Sequence, residues 1–234
     1  MFTILTASVS YGGYIAVRVA GPSLGVIVGS LTGSIVSSTA VTIALARRSA
    51  SNTPRLFAGG ALVGGMVSIL RVLIIVSLVD AQLAGTVLTP ALAAAAVFCV
   101  GGFAAIYSEH QSEDGSIDIG NPFDIGPLLV FAFAYIVIAI ANSWLAHRIG
   151  SGAMLFTSGI SALFDVDIAV LAASRLASEA ANVATQAVLV ALGANALSRA
   201  VVATVAGPAA FYSVYLLVTS AALLAGFITW FMTN

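Results

Sequence analysis

Charged residues are scarce in this sequence. Only 7% of the 234 residues are charged, whereas 60% are hydrophobic, and a soluble domain carries about 25% charged residues. A water-soluble fold is excluded, because so few charged side chains cannot cover its surface. Since apolar runs of about 20 residues indicate membrane spans, the sequence predicts an all-α polytopic membrane protein.

Lysine is absent, and cysteine occurs once. All eight basic residues are arginines and the formal net charge is -1, so no basic stretch is dense enough for nucleic acid. Cys99 alone cannot form an intramolecular disulfide or a thiolate metal cage. HExxH, GxGxxG and GxxxxGK[ST] do not occur, so we expect no enzymatic activity and no cofactor other than a bound inorganic cation.

Apolar runs bounded by charge, proline or glycine predict about eight transmembrane helices. They are Phe2 to Ala20, Leu24 to Arg47, Leu56 to Val79, Ala84 to Tyr107, Pro127 to His147, Gly152 to Ser174, Asn182 to Ala206, and Pro208 to Met232. The acidic polar loop 108–126 separates segment 1–107 from segment 127–234 and holds five of the nine acidic residues.

The two segments resemble each other when the sequence is shifted by 128 residues. GSIVSSTAVTIALAR from Gly33 then overlies SALFDVDIAVLAASR from Ser161, and Arg71 overlies Arg199 without a gap. We therefore expect two four-helix repeats, related by a pseudo-twofold axis along the membrane normal. If one segment is re-entrant, the repeats are inverted instead.

Arginines in the short loops predict the orientation. With eight spans, four arginines share a side with the N-terminus, and two lie opposite. We therefore place the N-terminus in the cytoplasm and the chain in the cell membrane, with lipids as its surroundings. The four are Arg47, Arg48, Arg55 and Arg175, and the two are Arg18 and Arg148.

Four charged residues lie deep inside predicted spans: Arg71, Asp165, Asp167 and Arg199. Each costs at least about 2.5 to 3.5 kcal/mol at the bilayer centre, so such residues face a wet cavity or the bundle interior and pair with one another. One interpretation is a set of ion pairs that braces the halves. The other is an ion or proton path whose affinity the arginines adjust.

The repeat favours the ion path. Ser37 aligns with Asp165 and Thr39 with Asp167, so a hydroxyl corresponds to each carboxylate. Because the two aspartates are about 200° apart on a regular helix, both can face one site only if the helix is locally unwound. Otherwise one aspartate binds the ion and the other forms a structural ion pair with an arginine. We assign Asp167 as the principal ligand and Asp165 as the partner of the arginine.

Carboxylate and hydroxyl oxygens suit Mg²⁺, Na⁺ or a proton. The predicted ion ligands are Asp165, Asp167, Ser37, Ser38, Thr39 and Thr42. The residues expected to pair charges or gate the site are Arg71, Arg199 and Asn195. The glycines Gly25, Gly29 and Gly33, together with GGALVGG from Gly59, predict close helix packing.

Four stretches resemble the uncharacterised transmembrane domain found C-terminal to MgtC/SapB-type membrane domains. They are GYIAVRVAGPSLG from Gly13, SSTAVTIALARR from Ser37, NPFDIGPLLVFA from Asn121 and DVDIAVLAASRLA from Asp165. The resemblance implies a stand-alone version of that domain and a connection with magnesium homeostasis. Val170 stands where that family often has threonine. Under the 128-residue shift this position aligns with Thr42, so the second half has no threonine to correspond to Thr42.

Two functions remain open on this basis. The first is a transporter or channel for an inorganic ion, with a cation as the expected substrate. The second is a non-transporting membrane module that binds a partner protein or lipid and affects ion homeostasis indirectly. A homodimer is compatible with either.

Overall fold

A computed structural model of the chain describes residues 22–49, 53–110, 166, 167, 170 and 181–233. The described residues form five long α-helices. They are α1 (Pro22–Arg48), α2 (Pro54–Val79), α3 (Ala81–His110), α4 (Ala181–Ala206) and α5 (Ala209–Thr233). All five are long and apolar enough to cross a membrane, so the protein is a multi-pass helical membrane protein.

Five of the predicted spans are confirmed, with ends that agree to within three residues. Helix α3 continues to His110, so the polar loop begins later than residue 108. The first and fifth predicted spans lie outside the described residues, and only residues 166, 167 and 170 of the sixth are described. The total of eight spans stays a prediction.

Short connections separate consecutive helices. Asp80 alone separates α2 from α3, and its Oδ1 accepts hydrogen bonds from the backbone N–H groups of Gln82 at 2.9 Å and Leu83 at 3.0 Å. This is an N-cap, which satisfies amide groups that have no partner within the helix. Gly207 and Pro208 connect α4 to α5.

The start of α2 is capped by a side chain from another helix. Thr53, just before α2, has a positive φ of 51°, and its Oγ1 is buried without a hydrogen-bond partner. The carboxylate of Glu109, near the end of α3, instead accepts a hydrogen bond from the N–H of Arg55 at 3.1 Å. A negative charge at a helix N-terminus also interacts favourably with the helix dipole.

The described residues divide into two compact units, each of which takes residues from both halves of the chain. Unit 1 contains residues 22–49, 53–68, 94–110 and 199–225. Unit 2 contains residues 69–93, 166, 167, 170, 181–198 and 226–233. The apolar core of unit 1 includes Leu56, Val63 and Ile106. In unit 2, the hydroxyls of Thr86 and Thr185 lie 2.9 Å apart and join α3 to α4.

Glycines let the helices of unit 1 approach closely, as predicted for the GGALVGG segment. A Cβ added to Gly59 would lie 2.5 Å from the carbonyl oxygen of Gly102, so α2 and α3 nearly touch. A Cβ on Gly60 would lie 2.7 Å from Ser30 Oγ of α1. The prediction is wrong for Gly29, around which there is open space.

Candidate ion site

Helix α1 is broken at Ser37. This residue has φ -157° and ψ 105°, an extended conformation between two helical segments. Its Oγ accepts a hydrogen bond from the N–H of Ala40 at 3.2 Å, so the side chain caps the second segment in the way that serine commonly caps helices. The break places two helix ends inside a membrane span.

The bend brings residues on either side of the break together. A Cβ on Gly33 would lie 2.8 Å from Val41 Cγ2, although the two residues are eight positions apart. On a straight helix that separation is about 12 Å along the axis. A Cβ on Gly64 of α2 would clash with Ser34 Oγ beside the bend. Glycine at both positions therefore provides the room in which α1 bends.

The hydroxyls that follow the break divide between two environments. Ser38 and Thr42 are buried, and the Thr42 hydroxyl donates to the Ser38 carbonyl oxygen at 2.9 Å. Ser37 and Thr39 are half-buried. The predicted hydroxyl ligands are thus close in the chain, but only Ser38 and Thr42 are one turn apart on the same buried face.

Arg71 and Asp167 form an ion pair in unit 2. Arg71 Nη2 lies 3.1 Å from Asp167 Oδ2, and the two side chains are 24% and 28% exposed. Eight residues separate Arg71 from the end of α2, which places it about 12 Å from that end. The sequence assigned the arginine brace to Asp165, but Asp167 itself contacts Arg71, and Asp165 lies outside the described residues.

Arg199 occupies a different environment in unit 1. It is 1% exposed, and its guanidinium carbon lies 5.8 Å from the centre of the Phe98 ring. This distance permits a cation–π interaction. Gly65 makes room for the guanidinium, because a Cβ there would lie 3.1 Å from Arg199 Nη1.

Asn195, the third residue expected to pair charges, is also buried. Within the part of the chain that the structure describes, no three His, Cys, Asp or Glu side chains are grouped so as to hold a metal ion. Asp165, the other carboxylate predicted as an ion ligand, lies outside the described residues. A cation at Asp167 would therefore depend on neutral oxygen ligands or on residues outside the described ranges.

The sequence did not predict several of these contacts. Phe98 and Gly65 give no polar signal in the sequence, yet both contact Arg199. Tyr215 and Thr219 were also missed, although both are buried polar residues on α5. Their spacing of four residues on an apolar helix was the signal that could have identified them.

Comparison with known proteins gives a family but no activity. The family described as "Domain of unknown function (DUF4010)" matches residues 4–207. The chain belongs to this family. It is 27% identical over 186 residues to an "Uncharacterized protein" of Aquifex aeolicus (strain VF5), covering 76% of this chain and 80% of that relative. No solved structure matches the chain.

Membership in this family agrees with the expectation of an uncharacterised membrane domain. The description of the family states no function, and that of the relative names none. The expected association with MgtC/SapB-type domains stays a prediction. Evidence on function therefore comes from the residues inside the spans.

Proposed function

We propose that this family member is an integral membrane transporter or channel for an inorganic ion, and that the ion is a cation. The observation that carries the proposal is the pair of Arg71 and Asp167, which lies within apolar helical segments and is about one quarter exposed. Exposure to lipid would be expensive for charged groups. A wet cavity at this depth accounts for both the charges and their exposure.

The break at Ser37 supports the same proposal. Irregular backbone at membrane depth is tolerated where it is enclosed by protein or lines a wet cavity. Many transporters bind their ions at such broken helices, where carbonyl oxygens and helix ends become available as ligands. Ser37 aligns with Asp165 under the 128-residue shift, so the break lies at the position in the first half that corresponds to the Asp-Val-Asp segment in the second.

Helix boundaries support the two-repeat architecture that we propose for this transporter. The start of α4 follows that of α2 by 127 residues, and the start of α5 follows that of α3 by 128. The unit boundary after Ser68 recurs after Ser198, and the one after Ala93 recurs after Ala225. Each described segment of one unit thus corresponds to a segment of the other, apart from a few residues at the boundaries.

The ion pair suggests how binding is controlled. While Arg71 contacts Asp167, the carboxylate is neutralised and is a poor cation ligand. A cation that reaches Asp167 has to displace the guanidinium. In this mechanism Arg71 is the gating residue and Asp167 the principal ligand, while Asp165 supplies further negative charge.

A flux assay with the purified full chain in liposomes tests the proposal. We expect uptake of at least one ion from a panel of Mg²⁺, Na⁺, K⁺ and protons, and loss of that uptake in Asp167→Asn. Asp80→Asn is the matched control, because asparagine also caps helices well and should keep the α2–α3 connection intact. Both variants are first checked for monodispersity and helical content.

The outcomes separate the competing functions. Wild-type flux equal to that of empty liposomes across the panel would support the non-transporting module, which binds a partner protein or lipid. Movement of anions without cations would show that the proposed charge of the transported ion is wrong. Normal flux in Asp167→Asn would remove that residue from the site. We also propose that the protein lies in the cell membrane with its N-terminus in the cytoplasm. Cysteine labelling from each side of the membrane can check this orientation.

A further inference from the structure

Helix α1 follows a different course from the other helices. Its 27 residues are long and apolar enough to cross a membrane, yet Ser37 near its middle has an extended conformation. We call residues 22–36 the first arm and residues 38–48 the second arm. The angle between the arms decides whether α1 crosses the membrane or returns to the side from which it entered.

Contacts with Gly60 of α2 show that the two arms lie side by side. A Cβ on Gly60 would lie 2.7 Å from Ser30 Oγ of the first arm and 3.2 Å from Leu45 Cδ1 of the second. These two atoms are therefore within about 6 Å of each other, although residues 15 positions apart on a straight helix are separated by about 22 Å. Serine and leucine side chains are too short to bridge that difference, so the chain reverses between them.

A second set of contacts repeats the pattern nearer to the break. A Cβ on Gly64 would clash with Ser34 Oγ of the first arm and would lie 3.8 Å from Val41 Cγ1 of the second. From Gly60 to Gly64, one turn along α2, the first arm advances by four residues and the second goes back by four. The arms thus run in opposite directions along α2 and form a helical hairpin.

Helix α2 also shows how deep the hairpin reaches. Gly64 lies ten residues after Pro54, where α2 begins, which corresponds to about 15 Å. Ser34 lies beside Gly64 and three residues before the break, which adds about 5 Å. Since the 26 residues of α2 span about 39 Å, the tip of the hairpin lies close to the middle of α2.

The division of the helices between the compact units agrees with this course. Each of α2, α3, α4 and α5 passes from one unit into the other, whereas all of α1 belongs to unit 1. Among the described helices, only α1 stays within a single unit over its whole length. A straight helix of 27 residues would be expected to divide as the other four do.

The tip carries polar side chains at a depth where lipid offers no hydrogen bonds. Irregular backbone at membrane depth is tolerated where protein encloses it or where it lines a water-filled cavity. Ser37 and Thr39 are only half-buried, so protein does not enclose the tip completely. Water on the exposed side of these residues accounts for both the break and the hydroxyl groups.

We propose that α1 is a re-entrant hairpin, which enters and leaves the membrane on the side where α2 begins, and that its tip, residues 37–39, lines a water-filled cavity at mid-depth. The hairpin itself requires no transport activity. The role of the cavity as a part of the ion path rests on the function proposed above.

A re-entrant α1 changes the orientation. The cytoplasmic N-terminus follows from eight crossings, whereas a re-entrant α1 leaves Arg47, Arg48 and Arg55 on the side opposite to the N-terminus when residues 2–20 span the membrane. Arginines in short loops favour the cytoplasmic side, so the loop between α1 and α2 is then cytoplasmic and the N-terminus is not. With one crossing fewer in the first half, the two repeats are inverted relative to each other.

Cysteine labelling of the full chain tests the hairpin, after Cys99→Ala has removed the native thiol. Leu24→Cys and Arg47→Cys place single thiols at exposed positions near the two ends of α1. These positions are about 15 to 20 Å from the tip, at or beyond the edge of a half-membrane whose hydrocarbon layer is about 15 Å thick. In membrane vesicles of known orientation, a membrane-impermeant maleimide should label both from the same side.

Arg55→Cys and Val79→Cys are the matched control pair, because they mark the two ends of α2, a helix of nearly the same length. They should be labelled from opposite sides, with Arg55→Cys on the side of the two α1 positions. Labelling of Leu24→Cys and Arg47→Cys from opposite sides would overturn the hairpin.

Reactivity at the tip tests the cavity. Thr39→Cys should react with a small water-soluble thiosulfonate, because water permits formation of the reactive thiolate. Ile35→Cys is the control at about the same depth. Its position is exposed and apolar, and we assign it to lipid, so it should react much more slowly. Equally slow reaction at both positions would contradict a wet cavity at the tip.

A cation that the protein transports should protect Thr39→Cys from the reagent. Unchanged reactivity in its presence would separate the cavity from the ion path. The labelling does not depend on transport. A reactive tip in a protein without flux would therefore refute the transport function and leave the hairpin and its cavity intact.

Discussion

Arg71 Nη2 lies 3.1 Å from Asp167 Oδ2, which links α2 to the Asp-Val-Asp segment of the second half of the chain. The two residues are almost 100 positions apart in sequence and belong to the same compact unit. The contact couples the halves of the chain through a charge pair inside apolar helices. In the mechanism that we propose, it also determines whether the carboxylate is available to an ion.

The first prediction concerns this pair. Arg71→Met and Asp167→Asn should each lower the free energy of unfolding, because each leaves the opposite charge in an apolar region. The double variant should recover part of the loss, with a coupling energy of about 1 to 3 kcal/mol. Unfolding in mixed detergent micelles measures all four proteins. Additive losses would contradict the pairing, and Arg55→Met at an exposed arginine should have little effect.

The second prediction concerns the cap at the break in α1. Ser37→Ala should destabilise the protein by about 1 kcal/mol, because the Ala40 N–H loses its acceptor. Ser37→Asn should keep most of the stability, since asparagine also accepts this hydrogen bond. Thr233→Ala, at the exposed end of α5, is the control and should stay within about 0.5 kcal/mol of wild type. If Ser37→Ala were as stable as wild type, the cap would have no energetic role.

The third prediction compares two glycines. Gly59→Ala should cost about 1 to 3 kcal/mol by overpacking, because the new Cβ would meet the Gly102 carbonyl oxygen and Ile106 Cγ1. Gly85→Ala should instead stabilise the protein by about 0.5 to 1 kcal/mol, since nothing lies within 4 Å of a Cβ there. Thermal unfolding distinguishes the two. A loss at both positions would show that helix approach is not the cause.

The fourth prediction concerns Thr53, which has a positive φ of 51°. A residue with a Cβ in the left-handed region costs about 1 to 2 kcal/mol, and glycine does not, although glycine has a larger unfolded-state entropy. Thr53→Gly should therefore raise the free energy of unfolding by up to about 1 kcal/mol. Thr53→Ser keeps the Cβ and should give no such gain. Equal effects of both substitutions would indicate a side-chain cause.

Composition and the lengths of the apolar runs predicted the described helices well, because a span of the hydrocarbon core requires a minimum apolar length. Leu56 to Val79 was predicted where α2 runs from Pro54 to Val79. The partners of the buried charges were less predictable. Asp165 and Asp167 are two residues apart and chemically identical, so the sequence could not indicate which of them contacts Arg71.

By itself, the sequence determined that the chain crosses a membrane, and it predicted four charges inside the spans, since both inferences follow from where apolar residues run and where they are interrupted. It also suggested Ser37 and its polar neighbours as ligands of an ion. Only the tertiary structure decided that α1 breaks at Ser37, that Arg71 contacts Asp167, and that Arg199 lies over Phe98. The physical reason is that these contacts join residues distant in sequence. Close approach of the helices also depends on glycines and aromatic rings, which give no charge pattern in the sequence.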